Sequence, residues 1–355
     1  MTTTAETPLL GRLGLGVLDA DEHTAPKGRN SNRVGTTDAG HAVFVKRLDP
    51  EQPDARARFR RLLRFEATAP TADAALSTPP CLGWDEEELT VVFRWLRDAR
   101  SGADLAEEEA FTDDLARRAG RAVGALHTLP VPEEADEPPF LPPLEFFDAL
   151  PARYYAQASG ASLDAWRLLQ QDDELAFAVR ELRRLEAAAP TTAAHCDLRL
   201  DQFLWDGDTL WLSDWEEFRR ADPARDVGDF MGEWLYRAVL DLPSKELGPS
   251  GVAGDFGADE ATAHRDVVER GVRELTRLRT RNVAFWAGYR ERVPEPDPGL
   301  AERATAFAGW HLLDRMLAAA ERRPRLSALD RAAAGIGRSA LLRPQRFVTT
   351  LGLGD

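Results

Sequence analysis

Lysine is nearly missing from this chain of 355 residues: of 45 basic residues only Lys27, Lys46 and Lys245 are lysine, and the rest are arginine. Cysteine is scarcer still. Cys81 and Cys196 lie far apart and without metal-ligand spacing, which excludes a disulfide framework and a cysteine-based zinc site. No apolar run approaches the length needed to span a bilayer, and the N-terminal MTTTAETPLL lacks a basic region followed by an apolar stretch. The sequence therefore reads as cytoplasmic, with no membrane partner. Positive charge is also short overall. A net charge of −15 argues against broad nucleic-acid binding through phosphate neutralisation.

The deficit is uneven. Residues 1–66 hold 11 Lys/Arg against 9 Asp/Glu, so the remainder of the chain carries −17. The local excess sits in Arg56, Arg58, Arg60, Arg61 and Arg64, which read either as a solvated helix face or as an attraction for nucleotide phosphate or an acidic peptide. A hydrophobic content of 43% over this length suffices for two packed domains.

The order of elements points to a small strand-rich region followed by a larger helical one. GRNSNRVGTTDAGHAVFVKRL (28–48) reads as a strand–turn–strand hairpin with a polar, glycine-bearing first turn and a strand AVFVKRL. A lysine kept in so arginine-rich a chain marks a place where the larger guanidinium fork does not substitute, and Lys46 lies within that apolar strand. Residues 53–69 follow as a helix. Phe59, Leu62, Leu63 and Glu66 fall at i, i+3, i+4 and i+7, so a glutamate shares the apolar face and needs a partner; Lys46 is the candidate. LTVVFRWL (89–96) is another strand, 104–129 a helix stopped by Pro130, and VPEEADEPPFLPP (131–143) a loop or linker. Helical patterns return through 144–188, then 259–291 and 299–321. Between them Asp206-Gly207 marks a tight hairpin within HCDLRLDQFLWDGDTLWLSD (195–214). The resulting expectation is two domains, 1–96 and 97–355.

The motif region resembles a known superfamily. HCDLRLDQ (195–202) is similar to the His-x-Asp-x-x-x-x-Asn catalytic loop of aminoglycoside phosphotransferase-like and protein kinases. LSDWEEF (212–218) looks like the segment that replaces Asp-Phe-Gly in the aminoglycoside phosphotransferase branch. ADPARDVGDF (221–230) and VGALHTLP (123–130) resemble two further stretches of that branch. Four ordered matches, with a lysine strand and a glutamate helix upstream, cover roughly 28–230.

The resemblance implies an α+β, bilobal protein-kinase-like fold and an ATP- and Mg2+-dependent phosphotransferase. Asp197 would orient the accepting hydroxyl, and Arg199 would offset charge on the transferring phosphoryl group. His195 and Asp226 would be structural. Asp214 would be the principal metal ligand and Gln202 the second, although the family carries asparagine there. Glu216 and Glu217 would either join the metal shell or lie on the surface. Lys46, paired with Glu66, would hold the nucleotide phosphates. Gly28, Asn30, Asn32 and Gly35 would offer donors in a turn that departs from a Gly-x-Gly-x-x-Gly loop. Phe93 to Leu96, including Trp95, would be the hinge that reads adenine through its backbone.

GRNSNRVG, VFVKRL, FRRLLRFE and HCDLRLDQFLW together also resemble the kinase-like subunit of class V lanthipeptide synthetases and its thioamitide-type relatives. That narrower resemblance implies phosphorylation of Ser and Thr in a ribosomal precursor peptide and a HopA1-like lyase as partner, and makes Gln202 a subfamily trait. A small-molecule kinase and a non-catalytic pseudokinase remain alternatives, the second favoured by Gln202 and opposed by the retention of Lys46, Glu66, Asp197 and Asp214.

Overall fold

The structure is a computed structural model that describes residues 6–18, 23–24, 30–68, 75–131, 138–244, 260–321 and 323–354. The chain runs α1 (Glu6–Arg12), β1 (His23–Thr24), β2 (Asn30–Thr36), β3 (Ala42–Leu48), α2 (Ala55–Thr68), β4 (Cys81–Asp85), β5 (Thr90–Arg94), β6 (Arg100–Ser101) and α3 (Gly102–Glu107). Next come α4 (Asp113–His127), α5 (Leu144–Asp148), α6 (Ala152–Gln157), α7 (Gly160–Gln170), α8 (Asp173–Ala188) and β7 (Thr192–Ala194). A 3-10 turn at Leu200–Gln202 leads into β8 (Phe203–Trp205) and β9 (Leu210–Leu212). A second, Trp215–Glu217, precedes β10 (Arg219–Ala221). The remainder is helical: α9 (Ala224–Ser244), α10 (Glu260–Arg292), α11 (Leu300–Glu321), α12 (Ala328–Leu342) and α13 (Pro344–Leu351). None of the described helices is long and apolar enough to cross a membrane.

Two compact units emerge. The first comprises Met1–Phe111, Leu129–Val131 and Leu200–Arg219, so the β8–β9 hairpin and the segment after it pack with the N-terminal strands. The second holds Thr112–Thr128, Pro132–Arg199 and Arg220–Asp355.

In the first unit a five-stranded antiparallel sheet has the order β1-β2-β3-β5-β4. Side chains alternate across β3, because successive residues of a strand point to opposite faces. Val43 and Val45 pack with Leu9 and Leu10 of α1 and with Val92, whereas Leu48 and Val91 pack with Ala55, Phe59 and Leu62 of α2. Lys46 falls on this second face, opposite Val91 in the β3–β5 register. The polar segment NSNRVGT, expected to be a turn, is instead strand β2, paired residue for residue with β3 from Asn30↔Leu48 to Thr36↔Ala42. Cross-strand pairing overrides weak local β-propensity here. Lys27 and Gly28 lie outside the described residues.

In the second unit long helices pack closely on small residues. A methyl group at Gly120 of α4 would collide with the carbonyl oxygen of Phe285 in α10, and one at Gly309 of α11 would meet the backbone of Gly337 in α12. This tight bundle supports β7 and the loop that follows it.

Candidate active site

A cleft of about 330 Å³ opens within the first unit. Its walls are Val34, Phe44, Leu62, Phe93, Trp95 and Leu96, and its polar groups are Asn32, Lys46, Gln202, Ser213 and Asp214. An apolar slot with a few convergent polar groups suits a flat heterocycle joined to a charged tail.

Lys46 is 6% exposed. Its ammonium ion-pairs with the carboxylates of Asp214 and Glu216. Burial pulls the lysine pKa down, but the two carboxylates more than offset this, and it stays above its ordinary value. The expected Lys46–Glu66 pair does not form. Glu66 Oε1 is buried without a hydrogen-bond partner, and burial raises that carboxyl to about pH 7. The helical period was right to place Glu66 on the inner face of α2. The lysine has turned instead to the segment after β9.

That segment is fastened to α2 at three successive residues. Trp215 stacks on Phe65 with ring centroids 3.5 Å apart and planes 7° from parallel. Glu216 lies 3.1 Å from the guanidinium of Arg58, which is 0% exposed. Arg61 donates to the carbonyl of Glu216 at 2.7 Å and to the Glu217 carboxylate at 3.1 Å. Of the five arginines on this helix, Arg56 and Arg60 are solvated, whereas Arg58 and Arg61 face the protein. Glu216 is thus not a surface residue; the sequence left it between the surface and the metal shell.

The other nucleotide-side expectations divide. Asn32 lines the cleft, and its buried side-chain oxygen has no hydrogen-bond partner. Asn30 is committed elsewhere: its amide donates to Glu216, and its oxygen accepts from Arg58 at 3.1 Å. Gly35 sits in mid-strand opposite Val43 and is not among the lining residues. Phe93 and Trp95 both line the cleft. The Trp95 amide, however, donates to the Ala42 carbonyl at 3.1 Å and the Arg94 amide to that of Pro80 at 2.9 Å, so neither N–H reads a base.

Asp214 and Gln202 share this cleft. Asp214 adopts φ 71°, ψ 61°, a left-handed conformation that non-glycine residues hold at a cost of about 1–3 kcal/mol and that recurs at functional sites. Gln202, 4% exposed, is fixed from behind, since its backbone carbonyl accepts from both the amide and the hydroxyl of Ser213 at 3.0 Å. A carboxylate and an amide oxygen form a hard, all-oxygen donor set of the kind that holds Mg2+. The cation already resting on Asp214, the Lys46 ammonium, shows that this carboxylate accommodates positive charge.

The second unit carries the catalytic loop. Asp226, 0% exposed, accepts the amide of His195 at 2.7 Å and that of Cys196 at 2.8 Å. Its carboxylate also meets His127 Nε2 at 3.0 Å, and His127 Nδ1 lies 3.0 Å from the Tyr289 hydroxyl. Burial opposes the charge of Asp226, yet the hydrogen bond from His127 and the neighbouring imidazoles hold its pKa below the ordinary value. These bonds pin Cys196 at φ 64° and so present Asp197. Arg199 lies 3.6 Å from the Asp197 carboxylate. Sequence reasoning missed a further group here. A small concavity, about 30 Å³, joins Asp197 and Arg199 to Asp229, His311, Asp314 and Arg315, the last three from α11, a segment without a recognisable motif.

The α+β architecture and these loops define a protein-kinase-like fold. A solved amicoumacin kinase, hAmiN, in complex with AMP-PNP, Ca2+ and Ami matches with a TM-score of 0.52 at 12% identity, covering 96% of this chain and 94% of that one. A protein assigned as a fructosamine-3-kinase from Thermobifida fusca matches with a TM-score of 0.50 at 16% identity, covering 96% and 99%. No curated protein matches. The family model described as phosphotransferase enzyme family matches residues 23–249, which takes in the cleft, the catalytic loop and Asp226. The chain belongs to that family of phosphotransferases.

Proposed function

We propose that the protein is an ATP- and Mg2+-dependent kinase that phosphorylates Ser and Thr side chains of a ribosomal precursor peptide, ahead of phosphate elimination by a HopA1-like lyase. One observation carries the nucleotide half of this reading. A buried lysine rests on Asp214 in an apolar cleft that also holds Gln202. Phe44, Phe93 and Trp95 would enclose the base, Lys46 would neutralise phosphate oxygens, and Asp214 with Gln202 would hold the metal. When bound, magnesium supplies charge neutralisation on the phosphate oxygens. Asp197 orients the acceptor hydroxyl and takes its proton, and Arg199 beside it offsets charge on the transferred group.

The peptide acceptor is supported by the segments 28–48, 59–66 and 195–205 and by the small size of the concavity at Asp197, which suits one hydroxyl-bearing side chain. A second reading, a small amine-bearing acceptor, draws on Asp229 and Asp314 in that concavity and on the kinases of small molecules that share the fold. The test is incubation with ATP, Mg2+ and a candidate Ser/Thr-rich precursor, followed by mass spectrometry. The peptide should gain phosphoryl groups alone and lose one water per modified residue when the lyase is added. Transfer to aminoglycosides or choline with the peptide left untouched would establish the second reading instead.

A further inference from the structure

Phosphoryl transfer needs its lysine held in place, and the helix glutamate expected to do so leaves Lys46 alone. Asp214 would divide its two oxygens between the ammonium and a metal ion when one is bound, which weakens its hold on the lysine. Glu216 remains. We infer that Glu216 is the positioning residue for Lys46, and that α2 acts on the nucleotide site through Glu216 in place of Glu66; this rests on the nucleotide reading of the cleft.

The geometry argues against Glu216 as a metal ligand. It is 6% exposed and both of its oxygens are engaged: one receives the Lys46 ammonium and the Asn30 amide, the other faces Arg58 at 3.1 Å. A metal ion there would have to displace two cations. Asn30 also accepts from Arg58, so Glu216, Asn30 and Arg58 form one connected group behind the lysine, with Arg58 Nε left without a hydrogen bond. Charge counting points the same way. Two buried cations, Lys46 and Arg58, share the Glu216 carboxylate, and the Lys46 charge faces the cleft, where a phosphate belongs. Arg58 meets one further acid, Asp54, at 3.6 Å, and that residue is largely solvated. Neighbouring anchors keep the assembly in register with α2, since Trp215 stacks on Phe65 and Glu217 meets Arg61.

The experiment is a double-mutant cycle on slow ATP hydrolysis by the full chain, which needs no acceptor. Glu216→Gln should lower kcat about tenfold, the scale of one charge-assisted hydrogen bond, with KM for ATP changed less than about threefold. In a Lys46→Met background the same substitution should lower kcat less than about twofold, because its effect runs through the lysine. Glu66→Gln should stay within about twofold of wild type. Equal losses from Glu216→Gln in both backgrounds would overturn the inference, as they would mark a group acting on the metal or substrate directly; so would a loss confined to Glu66→Gln. Should Glu216→Gln not fold, Glu216→Asp, which keeps the charge but withdraws it by one methylene, enters the same cycle with the same expectations. A wild-type protein that neither binds nor hydrolyses ATP defeats the nucleotide reading itself, and the inference with it.

Discussion

Replacing Asp226 by asparagine keeps the shape of the side chain and removes its charge. In the native protein one carboxylate oxygen accepts from both His195 N and His127 Nε2, and the other from Cys196 N. An asparagine offers one oxygen and one NH2 group, so at least one buried N–H is left facing a donor. Breaking a buried, charged hydrogen-bond set by altering one partner costs about 3–5 kcal/mol. At about 2–4 °C per kcal/mol, the melting temperature should fall by roughly 6–20 °C. The pH dependence follows from the sign of the shift. The native pKa of Asp226 lies below its unfolded value, so its stabilisation is present above the ordinary aspartate range and is lost only as pH falls through the lowered native value. Thermal unfolding followed by near-ultraviolet circular dichroism from pH 7 to pH 3 should therefore show a constant gap between wild type and Asp226→Asn down to about pH 4, narrowing below it. A variant that melts within about 2 °C of wild type at pH 7 would refute the role given to this carboxylate.

Other outcomes follow from the same contacts. Glu66 is raised to about pH 7 by burial, so its ionisation opposes folding as pH rises from its ordinary range through 7; Glu66→Gln should stabilise the protein by about 1 kcal/mol at pH 8 and by nothing measurable near pH 4 in urea titrations. Phe65→Ala removes the platform under Trp215 and should cost about 3–5 kcal/mol by denaturant unfolding, with a raised Mg2+ requirement because Asp214 adjoins that ring. Gly120→Ala should destabilise the helical unit by about 1–3 kcal/mol, since α4 and α10 would have to separate. Gln202→Ala should raise the half-saturating Mg2+ concentration for ATP hydrolysis several-fold.

Much of this arrangement was legible before the structure. The Lys46 strand, the α2 stripe of Phe59 and Leu62, the Asp206-Gly207 hairpin and the long C-terminal helices follow from period and turn chemistry, which are local signals. Partnership across the chain is not local. Glu66 sits seven residues after Phe59 and reads as the lysine's partner, whereas Glu216 lies 170 positions beyond Lys46 in a segment whose burial no period reveals. The strand at Asn30–Thr36 was hidden for a related reason: its Asn, Ser and Gly content speaks for a turn, and only pairing with β3 makes it a strand. The roles of His311, Asp314 and Arg315 at the Asp197 concavity were likewise invisible, because α11 shows only the pattern of a buried helix.

If the cleft around Lys46 binds nucleotide and Asp197 serves transfer, Asp197→Asn separates the two. Titration of ATP and Mg2+ into this variant should give a dissociation constant within about twofold of wild type, while phosphoryl transfer to acceptor falls by about 10²–10⁴. Transfer at the wild-type rate would contradict the account.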